Sequence, residues 1–238
     1  MHRRVGGRLL LDGVDCRVQP GQTVALVGVN GAGKSTLIKG MLDLQAIDAG
    51  HIEIDGVAHT DRRARESLAY LPERFQPPYF LRGTQYLDYM SRLYRNPHPR
   101  AEMVAQAGQL GLTAAELERP AQTYSKGMAQ MLGLAACLLS GRHLLVLDEP
   151  MSGLDPTARV RLQRALRDAR AVGRTIFFTT HLMQDAEALA DRVLVLHEGH
   201  IIADESPADL AARHGGDLEA AFVHLVGQDS IAHEAATG

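Results

Sequence analysis

Apolar residues recur along this chain in two rhythms, and the change from one to the other marks its elements. "TVALV", from Thr23 to Val27, is a short β-rich apolar run. A glycine loop follows, then "STLIKGML", whose apolar residues fall at helical spacing, so the stretch predicts strand, loop and helix. "HIEIDG", 51 to 56, alternates apolar with polar and closes on an Asp-Gly turn, and "SLAYL", 67 to 71, reads as a further strand. The first third is therefore β-rich.

From about Phe75 to Ser140 the strand rhythm disappears. "RGTQYLDYMSRLY", "RAEMVAQAGQLG" and "TAAELE" read as helices divided by Pro97, Pro99 and Pro120. This predicts a helical lobe inserted into a β-rich core. "HLLVLDEP" then returns to a buried strand, and "DPTARVRLQRALRDARAVG" to a helix with Asp155 as N-cap and Pro156 at its first position. "RTIFFTT" reads as a strand, "HLMQDAEALA" as a helix and "RVLVLHEGHIIA" as a pair of strands. Such alternation belongs to an α/β domain with a parallel central sheet. The tail from Ser206 has a Ser-Pro helix start, a Gly215-Gly216 break and the short amphipathic piece "DLEAAFVHLV".

The length of 238 residues suits one large domain, or a core with a smaller lobe. Net charge is −3, with both signs mixed along the chain, so no basic block argues for nucleic acid or anionic lipid. Cys16 and Cys137 lack metal-ligand spacing and sit in apolar surroundings, which predicts buried, reduced thiols. No apolar run reaches membrane-spanning length, and "MHRRVGGRLLLDG" is too short in its apolar part for a signal peptide.

"GVNGAGKST", 28 to 36, fits the phosphate-loop pattern G-x-x-x-x-G-K-[ST] in the strand-loop-helix setting that the pattern requires. Gly28, Gly31 and Gly33 let the backbone fold back so that amides, including those of Asn30, Ala32 and Thr36, face phosphate oxygens. Lys34 would reach the β- and γ-phosphates of ATP, and Ser35 would offer a hydroxyl to Mg²⁺. "LLVLDE", 144 to 149, is an apolar strand ending in two carboxylates at the sheet edge where α/β proteins bind ligands. There Asp148 would hold Mg²⁺ and Glu149 would polarise the attacking water. His181, in "TTH" after a strand, is either a structural hydrogen-bonder or a γ-phosphate contact. "YSKGMAQML", 124 to 132, places Ser125, Lys126 and Gly127 before an apolar helix; such a start is either a cap or an anion site.

In order, "GVNGAGKST", "YSKGMAQ", "LLVLDEP", "SGLD" and "TTH" resemble the phosphate loop, signature, Mg²⁺ strand, D-loop and switch histidine of the ATP-binding cassette (ABC) ATPases. The resemblance covers nearly the whole chain. It implies a P-loop NTPase fold with a mostly parallel sheet, a small antiparallel β part and an inserted helical lobe. The boundaries expected are 1–74 and 141–214 for the core, 75–140 for the lobe and 215–238 for a helical tail. It also implies a head-to-tail dimer in which Ser125 and Gly127 grip the γ-phosphate held by the other copy, with Asp155 at the seam.

Several positions depart from the family pattern. Lys126 stands where Gly is usual and Met128 where Gln is usual. Met128 has helix packing as its alternative role. Glu73, in "YLPERF", resembles the Q-loop position, where a carboxylate can bind Mg²⁺ but cannot donate as an amide does. Val5 stands where an aromatic would stack on adenine.

The resemblance as a whole implies the ATPase subunit of an exporter-type transporter, on the inner face of the membrane. A separate membrane-spanning permease would be its partner, with no nucleic acid involved. A soluble ABC ATPase acting on nucleic acid or ribosomes is the rival class. It would ordinarily carry two cassettes or a long coiled-coil insertion, and a basic face.

Overall fold

The computed structural model describes residues 1–237. In chain order the elements begin with strands β1 (Arg3–Val5), β2 (Arg8–Leu11) and β3 (Thr23–Val27), and helix α1 (Lys34–Met41). Then come β4 (Glu53–Ile54), β5 (Val57–Ala58), α2 (Arg62–Arg65) and β6 (Leu68–Leu71). Helices α3 (Gly83–Leu93), α4 (Arg100–Gln109) and α5 (Ala114–Leu117), a 3₁₀ turn (Ala121–Thr123) and α6 (Lys126–Leu139) follow. The remainder is β7 (Leu144–Leu147), α7 (Pro156–Ala171), β8 (Thr175–Thr180), α8 (Met183–Leu189), β9 (Arg192–His197), β10 (His200–Glu205), α9 (Pro207–Ala212) and α10 (Leu218–Thr237).

The chain divides into two compact units, Met1–Ser67 with Phe177 onward, and Leu68–Ile176; β8 contributes residues to each. In the first unit the strand order is β10-β9-β3-β8. β3 pairs in parallel with β9, from Val24 opposite Arg192 to Val27 opposite Val195. Every residue of β3 is buried, as is β9 beyond Arg192. Strands covered on both faces need such continuous apolar runs. The pairing is anchored at its start, where the Thr23 amide donates to the Asp191 carboxylate at 2.9 Å and the Asp191 amide to the Thr23 carbonyl at 2.8 Å. β1 with β2, and β4 with β5, form small antiparallel ladders.

In the second unit the order is β8-β7-β6, with β6 parallel to β7 from Leu68 opposite Leu144 to Leu71 opposite Leu147. Helix α6 is buried continuously from Ala129 to Leu139. A Cβ on Gly133 would lie 2.6 Å from the Leu71 side chain and 2.8 Å from the Phe75 ring. This glycine therefore lets α6 lie close over β6. Tyr86 and Leu87 of α3, Met103 and Ala107 of α4, and Leu117 of α5 are buried as well. The Phe75 and Tyr86 rings meet at 5.6 Å.

One expectation changes. Cys137 is buried, its thiol pushed up to about 12 chiefly by desolvation, but Cys16 is exposed. Cys16 lies in the irregular stretch between β2 and β3. The amphipathic piece after Gly216 runs on as one helix through Thr237. Gly227 has no proline after it to stop the helix, and Ala, Gln and Glu beyond it favour continuation. The last residue of the expected tail, Gly238, lies outside the described residues. Among the described residues no helix is long and apolar enough to cross a membrane.

Candidate nucleotide site

The phosphate loop belongs to the first unit and joins β3 to α1. Its tip, Val29 to Gly31, is exposed, while Ala32, Gly33 and Lys34 are buried and Ser35 and Thr36 half-buried. Gly31 and Gly33 take φ of 87° and 107°, conformations that L side chains avoid. At Gly33 a Cβ would also sit 2.8 Å from the Leu11 side chain and 3.0 Å from the Leu10 carbonyl. Gly28 has no such φ, but a Cβ there would meet the Leu196 carbonyl at 2.5 Å. Gly33 is the N-cap of α1 and offers no side-chain acceptor to the first-turn amides, which leaves that end suited to an anion. The Lys34 ammonium donates to the Gly28 carbonyl at 2.6 Å and the Val29 carbonyl at 3.3 Å. It is folded into the cradle it closes.

His181 is in the same unit and exposed, just after β8. Its loop is fixed by a pair that sequence reasoning missed. The Thr180 hydroxyl donates to the Asp185 carboxylate at 3.2 Å and accepts from the Leu182 amide at 3.1 Å. Asp185 is 2% exposed. The available signal was an acid in the first turn of the helix after "TTH".

The second unit holds the carboxylates and the signature. Asp148 directly follows β7 and is 3% exposed; its amide donates to the Leu71 carbonyl at 2.8 Å. Glu149, 9% exposed, has φ of 48°. A non-glycine residue held there costs on the order of 1–3 kcal/mol and is typical of functional positions. The turn is closed by the Ser152 amide, which donates to the Glu149 carbonyl at 3.1 Å. Desolvation first, then the charges of Asp148 and Glu73, push the Tyr70 phenol up to about 12. Both carboxylates thus act on one neighbourhood, although Glu73 itself is only half-buried.

Ser125 is the N-cap of α6, its hydroxyl accepting from the Met128 amide at 3.2 Å. Both Ser125 and Lys126 are exposed. A Cβ on Gly127 would find its nearest neighbour, the Leu154 side chain, at 3.5 Å, an ordinary contact. Lys126 folds over the D-loop turn, its Nζ lying 3.2 Å from where a Cβ on Gly153 would stand. Asp155 caps α7 by accepting from the Ala158 amide at 2.9 Å.

Known proteins place these features in context. The family model described as ABC transporter matches residues 11–152, more than half of the chain. The chain belongs to the ABC transporter family. That match takes in the phosphate loop, the Ser125 region and the Asp148-Glu149 pair, whereas Asp155 and His181 lie beyond it.

The chain is similar to an uncharacterised ABC transporter ATP-binding protein of Synechocystis sp. (33% identity, 84% of this chain, 57% of the relative). It is also similar to a daunorubicin resistance ATP-binding protein of Streptomyces coeruleorubidus (34% identity, 95% and 72%). A third relative is a Nod factor export ATP-binding protein I of Burkholderia pseudomallei (34% identity, 97% and 76%). Against the first two curated relatives the chain spans 57% and 61% of their length. A solved ATP-binding subunit of an ABC transporter superposes with a TM-score of 0.82 at 29% identity, over 94% of this chain and 96% of that one. A dimeric bacterial ABC transporter cassette shares the fold at a TM-score of 0.77 and 19% identity, over 86% and 94%. The chain thus has the ABC cassette fold, an α/β P-loop NTPase with a mostly parallel central sheet.

Proposed function

We propose that this chain is an ATP-hydrolysing subunit that pairs head to tail with a second copy around ATP and drives export through a separate membrane-spanning permease. The observation that carries the reading is the start of α1. Its glycines are sterically required, its cap supplies no side-chain acceptor, and a buried lysine closes the loop. This arrangement fits a polyphosphate, and oxygen donors such as Ser35 and Asp148 fit the hard Mg²⁺ ion.

Mg²⁺-bound ATP brings the phosphoanhydride whose cleavage does the work; the chain holds, orients and supplies the base. Amides of Asn30, Gly31, Ala32 and Gly33 take the phosphate oxygens, and Lys34 turns from its carbonyl partners to the β- and γ-phosphates. Ser35 and Thr36 stand in the first turn of α1, where the Ser35 hydroxyl would help hold Mg²⁺. Asp148 and Glu73 would offer oxygen donors to Mg²⁺, and Glu149 would orient the attacking water. His181, positioned by Thr180 and Asp185, meets the γ-phosphate side. Ser125 and Gly127 clamp the triphosphate of the second copy, with Asp155 at the seam.

Transport is supported by the names of the relatives, two of which speak of drug resistance and of export. A permease contact is supported by Tyr79 and Phe80, 69% and 68% exposed and edge to face at 5.4 Å. They follow the Glu73 segment, and the subunit would bind the inner membrane face through them. The test is Glu149→Gln with ATP and Mg²⁺, read by light scattering and phosphate release. The expected result is a stable ATP-bound dimer with hydrolysis lost by about 10²-fold or more. A monomer that releases phosphate at the wild-type rate overturns the reading.

A further inference from the structure

We propose that the β9–β10 turn and helix α10 form a second ligand site, for a divalent transition-metal cation of the zinc class, held by His197, Glu198 and Asp229. Ligand atoms of the three residues all lie within 4.8 Å of one another. His197 Nε2 is 3.9 Å from Asp229 Oδ2. That is too long for a hydrogen bond, yet close to the separation of two ligands on one cation. Bonds of about 2.0–2.2 Å at a tetrahedral angle put such atoms roughly 3.4 Å apart. Among the described residues this is the one group of three or more His, Cys, Asp or Glu side chains that meets the spacing.

The cluster is not a chance of neighbouring sequence. Successive residues of a strand point to opposite faces, so His197 and Glu198 would ordinarily diverge. They converge because His197 pairs with His200 across a two-residue turn in which Glu198 and Gly199 have φ of 44° and 87°. A turn of that hand favours Asn, Asp or Gly at its first position, and here Glu occupies it. The third member comes from 31 residues further on, carried by α10. The His197 side chain is 8% exposed and that of Asp229 32%, so one buried imidazole anchors a site that remains open to solvent on its carboxylate side.

The donor set decides the ion class. One imidazole with two carboxylates suits Zn²⁺, Co²⁺ or Ni²⁺, whereas Mg²⁺ prefers an all-oxygen octahedron. The site is therefore distinct from that of the Mg²⁺ accompanying ATP, and cation binding would staple α10 to the end of β9.

The full chain, freed of metal by chelation and kept in Mg²⁺ buffer without nucleotide, is titrated with Zn²⁺ by calorimetry and with Co²⁺ by visible absorption. One ion per chain is expected, with a rise in the thermal unfolding midpoint that grows with Zn²⁺ concentration. Asp229→Asn and Glu198→Gln, on the solvent side, should keep the circular dichroism of the wild type and weaken affinity at least about tenfold. His197→Gln should abolish binding. His2→Gln serves as control, because His2 and His200 both approach Asp12, at 2.9 and 3.8 Å, and should leave affinity unchanged. Absence of a stoichiometric site in the wild type, or wild-type affinity in folded Asp229→Asn, overturns the proposal. Loss of binding in His2→Gln alone does so as well.

Discussion

Two helix starts in this protein carry nearly the same residues and behave differently. At α1 the run is Gly33, Lys34, Ser35; at α6 it is Ser125, Lys126, Gly127. At α1 the glycine is forced by its own surroundings and the lysine is buried against the loop carbonyls. At α6 the serine satisfies the Met128 amide, the lysine is exposed and the glycine has room for a methyl group. The first start is built for an anion within one chain. The second is a helix already capped, and in the proposed head-to-tail dimer it would meet a phosphate brought by the other copy. A helix end offers a partial positive charge, but desolvated geometry decides whether a ligand is held.

The contrast can be broken experimentally, beginning with the largest effect. Lys34→Ala should abolish ATP binding, weakening it by about 10²-fold or more, since a buried charge-assisted contact is lost; fluorescent-nucleotide titration with unchanged affinity would refute the α1 assignment. Gly33→Ala should destabilise the chain by about 1–3 kcal/mol through its positive φ and the Leu11 contact, read as a lower thermal midpoint. Ser125→Ala should cost about 1 kcal/mol by removing the α6 cap, while leaving ATP affinity of the monomer intact and dimer closure poor. Equal dimerisation of mutant and wild type would remove the role in a second copy.

Gly127→Ala sharpens the contrast most finely. Its surroundings accept a methyl group, so the folded monomer should be unchanged or gain about 0.5–1 kcal/mol. ATP-driven dimerisation, measured by light scattering in the Glu149→Gln background, should nevertheless weaken. If both quantities stay put, nothing approaches Gly127 from outside.

Much of this was legible in the chain because the signals are local. "TVALV" before a glycine loop could only be a buried strand feeding a helix, and Asp155-Pro156 could only begin one. The Thr180–Asp185 pair was not legible, since neither residue type at that spacing announces a hydrogen bond without the turn between them. Nor was the exposure of Cys16.

By itself the sequence determined most of the element types, the phosphate loop with its lysine, and the carboxylate pair at a strand end, because each rests on periodicity or on residue chemistry within a few positions. Tertiary structure alone decided that Gly28 and Gly33 are pinned by Leu196, Leu10 and Leu11, that Glu149 sits at a strained φ, and that His197 meets Asp229. Those facts depend on how close distant segments come once apolar strands pack, and no local pattern encodes a distance of a few ångströms across the fold.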